Sequence, residues 1–469
     1  MTAADVRETH CATVFFTGDR AYKVKKAVDL GFLDFTTPQA RREACHREVR
    51  LNRRLSPDVY LGVAEVHDPA GDPCEWIVLM RRMPAERSLS RLVADGVPVH
   101  DELRQVARLI AAFHVTAERG PEIDRVALLT GLRERWTANL SELVPFRDGP
   151  LDPAVLAEIT DLAHRYLAGR QPLLAARAQA GVACDGHGDL IADDIFCLPD
   201  GPRVLDCLEF DDRLRWVDSL DDAAFLAMDL ERLGRPELGA WFLDCYAEYS
   251  GAQRCVSLEH HYIAYRAVVR SKVACLRHAQ GVAGQDDQAR RLADLALRHL
   301  RLAEPRLVIV GGRPGTGKST VAGRLADELG GVLVQSDRVR KEMAGISPQT
   351  SAAAGWQEGI YSAAGTEHTY RELLRRAELL LGRGETVVLD ASWRRAAHRE
   401  QARVVAAGTS SRMVELLCRA PDELADARIR RRATGAHLSD ATAEIAAGMA
   451  RESDPWPEAE IVDTTVPAH

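Results

Sequence analysis

Apolar residues recur along this chain in changing rhythms, and each change marks a change of structure. Over 12–26, Val14, Phe15 and Phe16 lead into the turn Thr17-Gly18-Asp19-Arg20, and Tyr22-Lys23-Val24-Lys25 then alternates. That pattern predicts a β-hairpin. Pro38 opens a helical stretch to about Leu55, and strand-like runs follow at 59–66 and 76–80. From 88 to about 179 the period becomes helical, with Leu103, Val106, Ile110 and Phe113 at three- and four-residue spacing. A polar loop at 185–194 interrupts the helices, 204–208 reads as a short strand, and 219–302 is helical again. Ala303-Glu304-Pro305 is the best domain boundary, because a helical run stops there and a buried strand begins at Leu307. Beyond it, strands at 307–310, 332–335, 386–389 and 413–417 alternate with helices, which predicts a parallel sheet covered on both faces.

Composition narrows the class. A chain of 469 residues exceeds one ordinary core, and its 46% hydrophobic and 28% charged residues describe a globular protein. No apolar run reaches the roughly 18 residues of a membrane helix. Residues 1–16 carry Asp5 and Glu8 and lack a basic-then-apolar leader, so the sequence reads as cytoplasmic with no membrane partner. The ten cysteines include no Cys-x-x-Cys pair, which favours buried thiols over a zinc site. Net charge is −8, yet from Arg306 onward 22 basic residues balance 22 acidic ones, so the acidity lies in the first part. That balance is a poor match to a nucleic-acid binder.

The candidate chemistry is densest after Leu307. Gly312-Arg313-Pro314-Gly315-Thr316-Gly317-Lys318-Ser319 matches G-x4-G-K-[ST] throughout, with the apolar Leu307–Val310 run before it and a helix through Thr320 after it. The glycines let backbone N–H groups turn inward around an anion, and the helix starting at Lys318 adds the positive end of its dipole. Lys318 would reach the β- and γ-phosphates of ATP, while Ser319 would set its hydroxyl on Mg²⁺. Asp337, at the end of the second strand, is suited to take the proton from an attacking hydroxyl, to cap a helix as Ser336 also would, or to do both. Arg340 is placed to hold an anionic group on the substrate. Asp390 closes the strand Val387-Val388-Leu389 and suits Mg²⁺ or its water shell. Arg428 and Arg431, on a predicted helix before Thr434-Gly435, are placed to close over the phosphates as a lid, the alternative being a solvated basic face. These residues resemble the P-loop kinase family that includes gluconate kinase, zeta-toxin-like kinases and the kinase domain of polynucleotide kinases. The resemblance runs from 306 to about 465 and implies a phosphotransferase without selecting its acceptor.

The first part carries a second constellation. In Asp185-Gly186-His187-Gly188-Asp189-Leu190, Asp189 would orient or deprotonate an acceptor hydroxyl, with Asp194 and Asp206 on Mg²⁺. Lys23 or Lys25 would contact phosphates, Glu48 would pair with the lysine, and 76–83 would form a hinge holding adenine. The string His187-Gly188-Asp189-Leu190…Asp194, then Leu205-Asp206, resembles the aminoglycoside phosphotransferase family, whose fold is similar to protein kinases. Ile191 stands where that family typically has a second His, and Asp194 where it has the metal-binding Asn.

Together the motifs resemble bacterial two-domain proteins in which an aminoglycoside phosphotransferase-like domain is fused to an ATP-binding protein. The implied architecture is an α+β kinase-like bilobal domain over 1–303, with a small lobe at about 10–82 and a helical large lobe at about 83–303. An α/β P-loop domain with a parallel sheet follows over 306–469. The expected function is an ATP- and Mg²⁺-dependent phosphotransferase acting on a small hydroxylated acceptor. Two other classes stay open: a nucleotide-gated regulator with a pseudokinase half, and a nucleic-acid end kinase, which the balanced charge disfavours. The acceptor, the oligomeric state and the choice between Lys23 and Lys25 also stay open.

Overall fold

The alternation read in the first residues produces the expected hairpin. Strands β2 (Ala12–Thr17) and β3 (Arg20–Lys25) pair antiparallel, with Ala12 opposite Lys25 and Thr17 opposite Arg20. The computed structural model describes residues 5–8, 11–29, 33–347, 359–432 and 452–465. The chain divides into two compact units, the first of Met1–Ile159, Ala176–Arg254 and Glu259–His299, the second of Thr160–Ala175, Cys255–Leu258 and Leu300–His469.

In the first unit, β1 (Asp5–Glu8), β4 (Tyr60–His67) and β5 (Pro73–Arg81) complete an antiparallel sheet of order β1-β2-β3-β5-β4. One face of β3 buries Ala21, Lys23 and Lys25, so two lysines occupy positions where a sheet normally places apolar side chains. Val78 and Met80 of β5 continue that face, and Cys45 and Val49 of the helix Pro38–Asn52 pack against it. Helices make up most of the remainder. Short pairs break in as β6 (Ala183–Asp185) with β9 (Trp216–Asp218), and β7 (Ile195–Leu198) with β8 (Gly201–Val204). The strand expected at 204–208 therefore ends at Val204. Asp206 has φ 62°, in the left-handed region, and a strand cannot run through it.

The second unit is a five-stranded parallel sheet of order β11-β12-β10-β13-β14. Its strands are β10 (Arg306–Gly311), β11 (Val332–Gln335), β12 (Val387–Asp390), β13 (Arg412–Arg419) and β14 (Glu460–Asp463). Leu307 and Ile309 of β10 enter one apolar cluster, Val308 and Val310 the opposite one. Both faces are covered by helices, which is why these strands read as continuous apolar runs. Among the described residues no helix is long and apolar enough to cross a membrane.

One buried cation fixes how this sheet is covered. Arg170 is fully buried and donates through Nη1 to Leu381 O and through Nη2 to Thr409 O. Those carbonyls end the helices Ala363–Gly382 and Ala396–Gly408, where unpaired C=O groups and the negative end of the helix dipole converge. Burial pulls the guanidinium pKa down to about 10, which leaves it charged at neutral pH. The preceding Gly169 permits the approach, since a Cβ there would lie 2.1 Å from Thr409 O. Arg170→Met removes two charge-assisted hydrogen bonds, at about 1.5–3 kcal/mol each, although Gly384 N and Ser411 Oγ still donate to the two carbonyls. The expected loss of about 2–5 kcal/mol is to be read by urea unfolding followed through tryptophan fluorescence.

Candidate functional site

In the second unit the phosphate loop joins the end of β10 to the helix Lys318–Glu328, whose cap Gly317 has φ 82°. The amides of Lys318 and Ser319 precede the first intrahelical bonds, which Thr320 N and Val321 N make to Gly317 O, and both residues stand there half-buried. The loop is held from beneath: Thr316 Oγ1 donates to Arg313 O at 2.8 Å, and Thr464 Oγ1 donates to Thr316 O at 2.7 Å. Gly312 N donates to Ser392 O at 3.3 Å, tying the loop to the chain just past β12.

Asp390 ends β12 with Val310 and Gln335 as its register neighbours on either side. It is 4% exposed; Oδ2 accepts from Gln335 Nε2 at 3.3 Å, while the buried Oδ1 has no hydrogen-bond partner. A buried carboxylate oxygen left open beside a phosphate loop fits a divalent cation, which takes its remaining ligands from a hydroxyl such as that of Ser319, phosphate oxygens and water.

Asp337 does not cap its helix. The cap of Ser336–Met343 is Gln335, with no side-chain cap bond, so the capping role weighed for Ser336 and Asp337 is absent. Asp337 Oδ1 instead accepts from Arg340 Nη1 at 3.1 Å, and the Arg340 guanidinium lies 4.6 Å from the Tyr361 ring centre with its Nε buried and unpaired. Arg428 is pinned to the loop, with Nη2 donating to Thr464 O at 2.7 Å and Nη1 to Gly315 O at 3.4 Å. Arg313 reaches Asp422 on the same helix, and Arg431 is exposed. Thr434-Gly435, the expected end of the lid, lie outside the described residues. A cavity of about 480 Å³ opens against the loop, lined by Gly312, Arg313, Ser392, Arg394, Arg419 and Trp456 among others.

In the first unit Glu48 lies fully buried on the helix Pro38–Asn52 and bridges both candidate lysines. Its Oε1 is 2.9 Å from Lys23 Nζ and its Oε2 is 2.5 Å from Lys25 Nζ. Lys23 also donates to Asp206 Oδ1 at 2.6 Å, whereas Lys25 is closed off by Glu209. Burial works against the charge on Lys23, but Asp206 and Glu48 outweigh it and hold its pKa well above the usual value. Asp194 is pushed the other way. Burial and the charges of Asp206 and Asp189 lift its carboxyl well above the ordinary range. Burial also raises Asp189, against the opposing pull of Arg270.

The loop bearing Asp189 is suspended from a residue that sequence reading passed over. Asp222, fully buried in the first turn of the helix Ser219–Arg232, accepts from His187 N at 2.7 Å and Gly188 N at 2.9 Å. His114 Nε2 stands 3.0 Å from the same carboxylate, and burial of the acid is outweighed by His114, which holds its pKa below the usual range. Nothing local marks Asp222, since it acts on backbone amides 34 and 35 residues away. Glu209 and Thr464 escaped for the same reason: their partners are distant in sequence.

Two outcomes follow from this geometry. Asp222→Ala strands two buried N–H groups at about 1–3 kcal/mol each, so the first unit should lose about 2–5 kcal/mol in denaturant titration. Gly315→Ala should weaken binding of a fluorescent ATP analogue about tenfold or more, since strain in a φ > 0 position costs about 1–3 kcal/mol. At φ 82° its Cβ would stand 2.4 Å from Ala425 O.

Residues 307–455 match the family model described as an AAA domain. Among solved structures, a gluconokinase from Sinorhizobium meliloti is 18% identical with a TM-score of 0.25, covering 35% of this chain and 85% of its own. A choline/ethanolamine kinase family protein from Mesorhizobium loti is 13% identical with a TM-score of 0.38, covering 64% of this chain and 92% of its own. Scores this low leave the fold to rest on the strand order and connections described above. An uncharacterized protein of Mycobacterium tuberculosis is 44% identical over 463 residues, spanning 99% of this chain and 93% of the relative. With that identity along nearly the whole of both sequences, the chain belongs to the family of this mycobacterial protein and carries an AAA domain in its carboxyl-terminal part.

Proposed function

We propose that the protein is an ATP- and Mg²⁺-dependent phosphotransferase for a small hydroxylated acceptor, with one nucleotide site in each unit. The observation that carries this reading is Asp390, buried beside the phosphate loop with one oxygen unpaired. A structural carboxylate would have satisfied that oxygen.

In the P-loop site, Lys318 and the first-turn amides hold the β- and γ-phosphates, while Ser319 and Asp390 hold Mg²⁺. The cation, when bound, neutralises phosphate charge and orients the phosphates. Asp337 takes the proton of the acceptor hydroxyl, whose oxygen then bonds to the γ-phosphorus as the bond to the β–γ bridging oxygen breaks. Arg340, already paired with Asp337 at 3.1 Å, fixes the carboxylate for that role. Arg428 sets the lid helix against the loop at Gly315.

In the kinase-like site Lys23 is the phosphate-contacting lysine, because it alone of the two reaches Asp206. Lys25 serves instead to lock Glu48 in place together with Glu209. Asp189 is the proton acceptor, and Asp194 with Asp206 holds Mg²⁺.

Transfer from γ-labelled ATP into a fractionated small-molecule extract tests the reading. The unmodified chain should label at least one fraction. Lys318→Ala should reduce labelling at the P-loop acceptor about 100-fold or more, as loss of a phosphate-stabilising group does. Asp189→Asn should abolish labelling only of acceptors served by the kinase-like site. ATP binding without label in any fraction would sink the proposal.

A further inference from the structure

Reading Asp189 as the proton acceptor leaves a nearby cation without a task. The helix Val256–Ala279 places Arg266 and Arg270 four residues apart, on one face. Arg266 is engaged: its Nε donates to Asp221 Oδ1 at 2.7 Å and its Nη1 to Gly188 O at 3.3 Å, behind the loop. Asp221 is fully buried and also lies 3.8 Å from Arg135, so it has no charge to spare. Arg270, one turn along, lies with its Nη1 3.7 Å from Asp189 Oδ1. That is an ion pair beyond hydrogen-bond reach. Its side chain is 20% exposed, and among the described residues Asp189 is its one ion-pair partner.

The charges balance only before the reaction. When an acceptor O–H gives its proton to Asp189, the oxygen bonds to the γ-phosphorus, and the bond from that phosphorus to the bridging oxygen breaks. ADP leaves with the electron pair. Asp189 is then neutral, and the half-buried Arg270 has lost its one counter-charge among the described residues. The neighbouring acids cannot replace it, since Asp206 is held by Lys23 and Asp221 by Arg266. A half-buried guanidinium left without its counter-charge draws in another anion, and guanidinium is shaped to grip one with two oxygens.

We propose that Arg270 and Asp189 form an acceptor subsite for a small alcohol carrying an oxyanion, phosphate or carboxylate, next to the hydroxyl that receives the phosphoryl group. The subsite rests on the reading of Asp189 as proton acceptor. It selects against polycationic acceptors, which would set like charge against Arg270. The competing source of negative charge is the γ-phosphoryl group itself.

Calorimetry on the full-length Lys318→Ala chain, saturated with Mg²⁺ and a non-hydrolysable ATP analogue, separates these sources. The substitution silences the P-loop phosphate site, and the analogue fills the γ-position. Inorganic phosphate and, separately, malonate are then titrated in. At least one should bind, weaken about tenfold or more with Arg270→Ala, and recover only in part with Arg270→Lys, which keeps the charge but not the two-pronged grip. Affinity for the analogue should not change. Thermal melts establish that each variant is folded. Binding of neither anion, or binding that Arg270→Ala leaves intact, overturns the subsite. A fall in analogue affinity with Arg270→Ala assigns the guanidinium to the γ-phosphoryl group and overturns it as well. The parent reading fails separately: full transfer by Asp189→Asn would remove Asp189 as the base while leaving the anion titration to stand.

Discussion

Two N–H groups donated to one buried carboxylate hold the kinase-like site together. Asp222 receives the amides of His187 and Gly188, and with them the orientation of Asp189 immediately after. A carboxylate in a dry interior is tolerated only where hydrogen bonds stabilise its charge, and His114 supplies a further one. The same constraint organises the rest of the unit. Glu48 is tolerated at complete burial because two lysines flank it, and those lysines are tolerated on the inner face of a sheet because Glu48, Asp206 and Glu209 answer them. Such groups cannot be altered singly: removing one partner leaves a naked charge, which costs about 3–5 kcal/mol. The cluster is therefore a frame whose geometry is over-determined, as the proposed positioning of phosphates would require.

The second unit solves a different problem with backbone instead of side-chain charge. A parallel sheet buried on both faces puts the carboxyl ends of its central strands, β10 and β12, next to each other, so the phosphate loop and Asp390 are neighbours by register alone. Side chains then trim the loop: Thr464 and Arg428 bind its carbonyls, which leaves the amides at the helix start for an anion.

How much of this could be read from the chain depends on the range of each interaction. The hairpin, the two-sided apolar strands and the glycine string are local patterns, and each formed as expected. Alternation also put Lys23 and Lys25 on one face of β3, but only the fold brings Asp206 to the first and Glu209 to the second. The strand expected at 204–208 ended early because Asp206 adopts a conformation that apolar neighbours do not announce. Likewise the cap at Ser336 and Asp337 was plausible by residue type, yet Gln335 takes that position and frees Asp337 to meet Arg340. Asp222 and Arg170 left no trace in the sequence, since both act on backbone groups far along the chain.

Arg170 carries a consequence for how the protein is made. Its partner Thr409 lies 239 residues further on. At about 5–20 residues per second on the ribosome, roughly 10–50 s separate synthesis of the guanidinium from synthesis of the carbonyl it caps. Throughout that interval the sixteen residues Thr160–Ala175 lack the helix ends that Arg170 binds, and Gly169 has nothing to approach. The second unit is thus assembled retrospectively, by late helices closing on an early segment. The nascent chain must keep that segment unburied until its last third emerges.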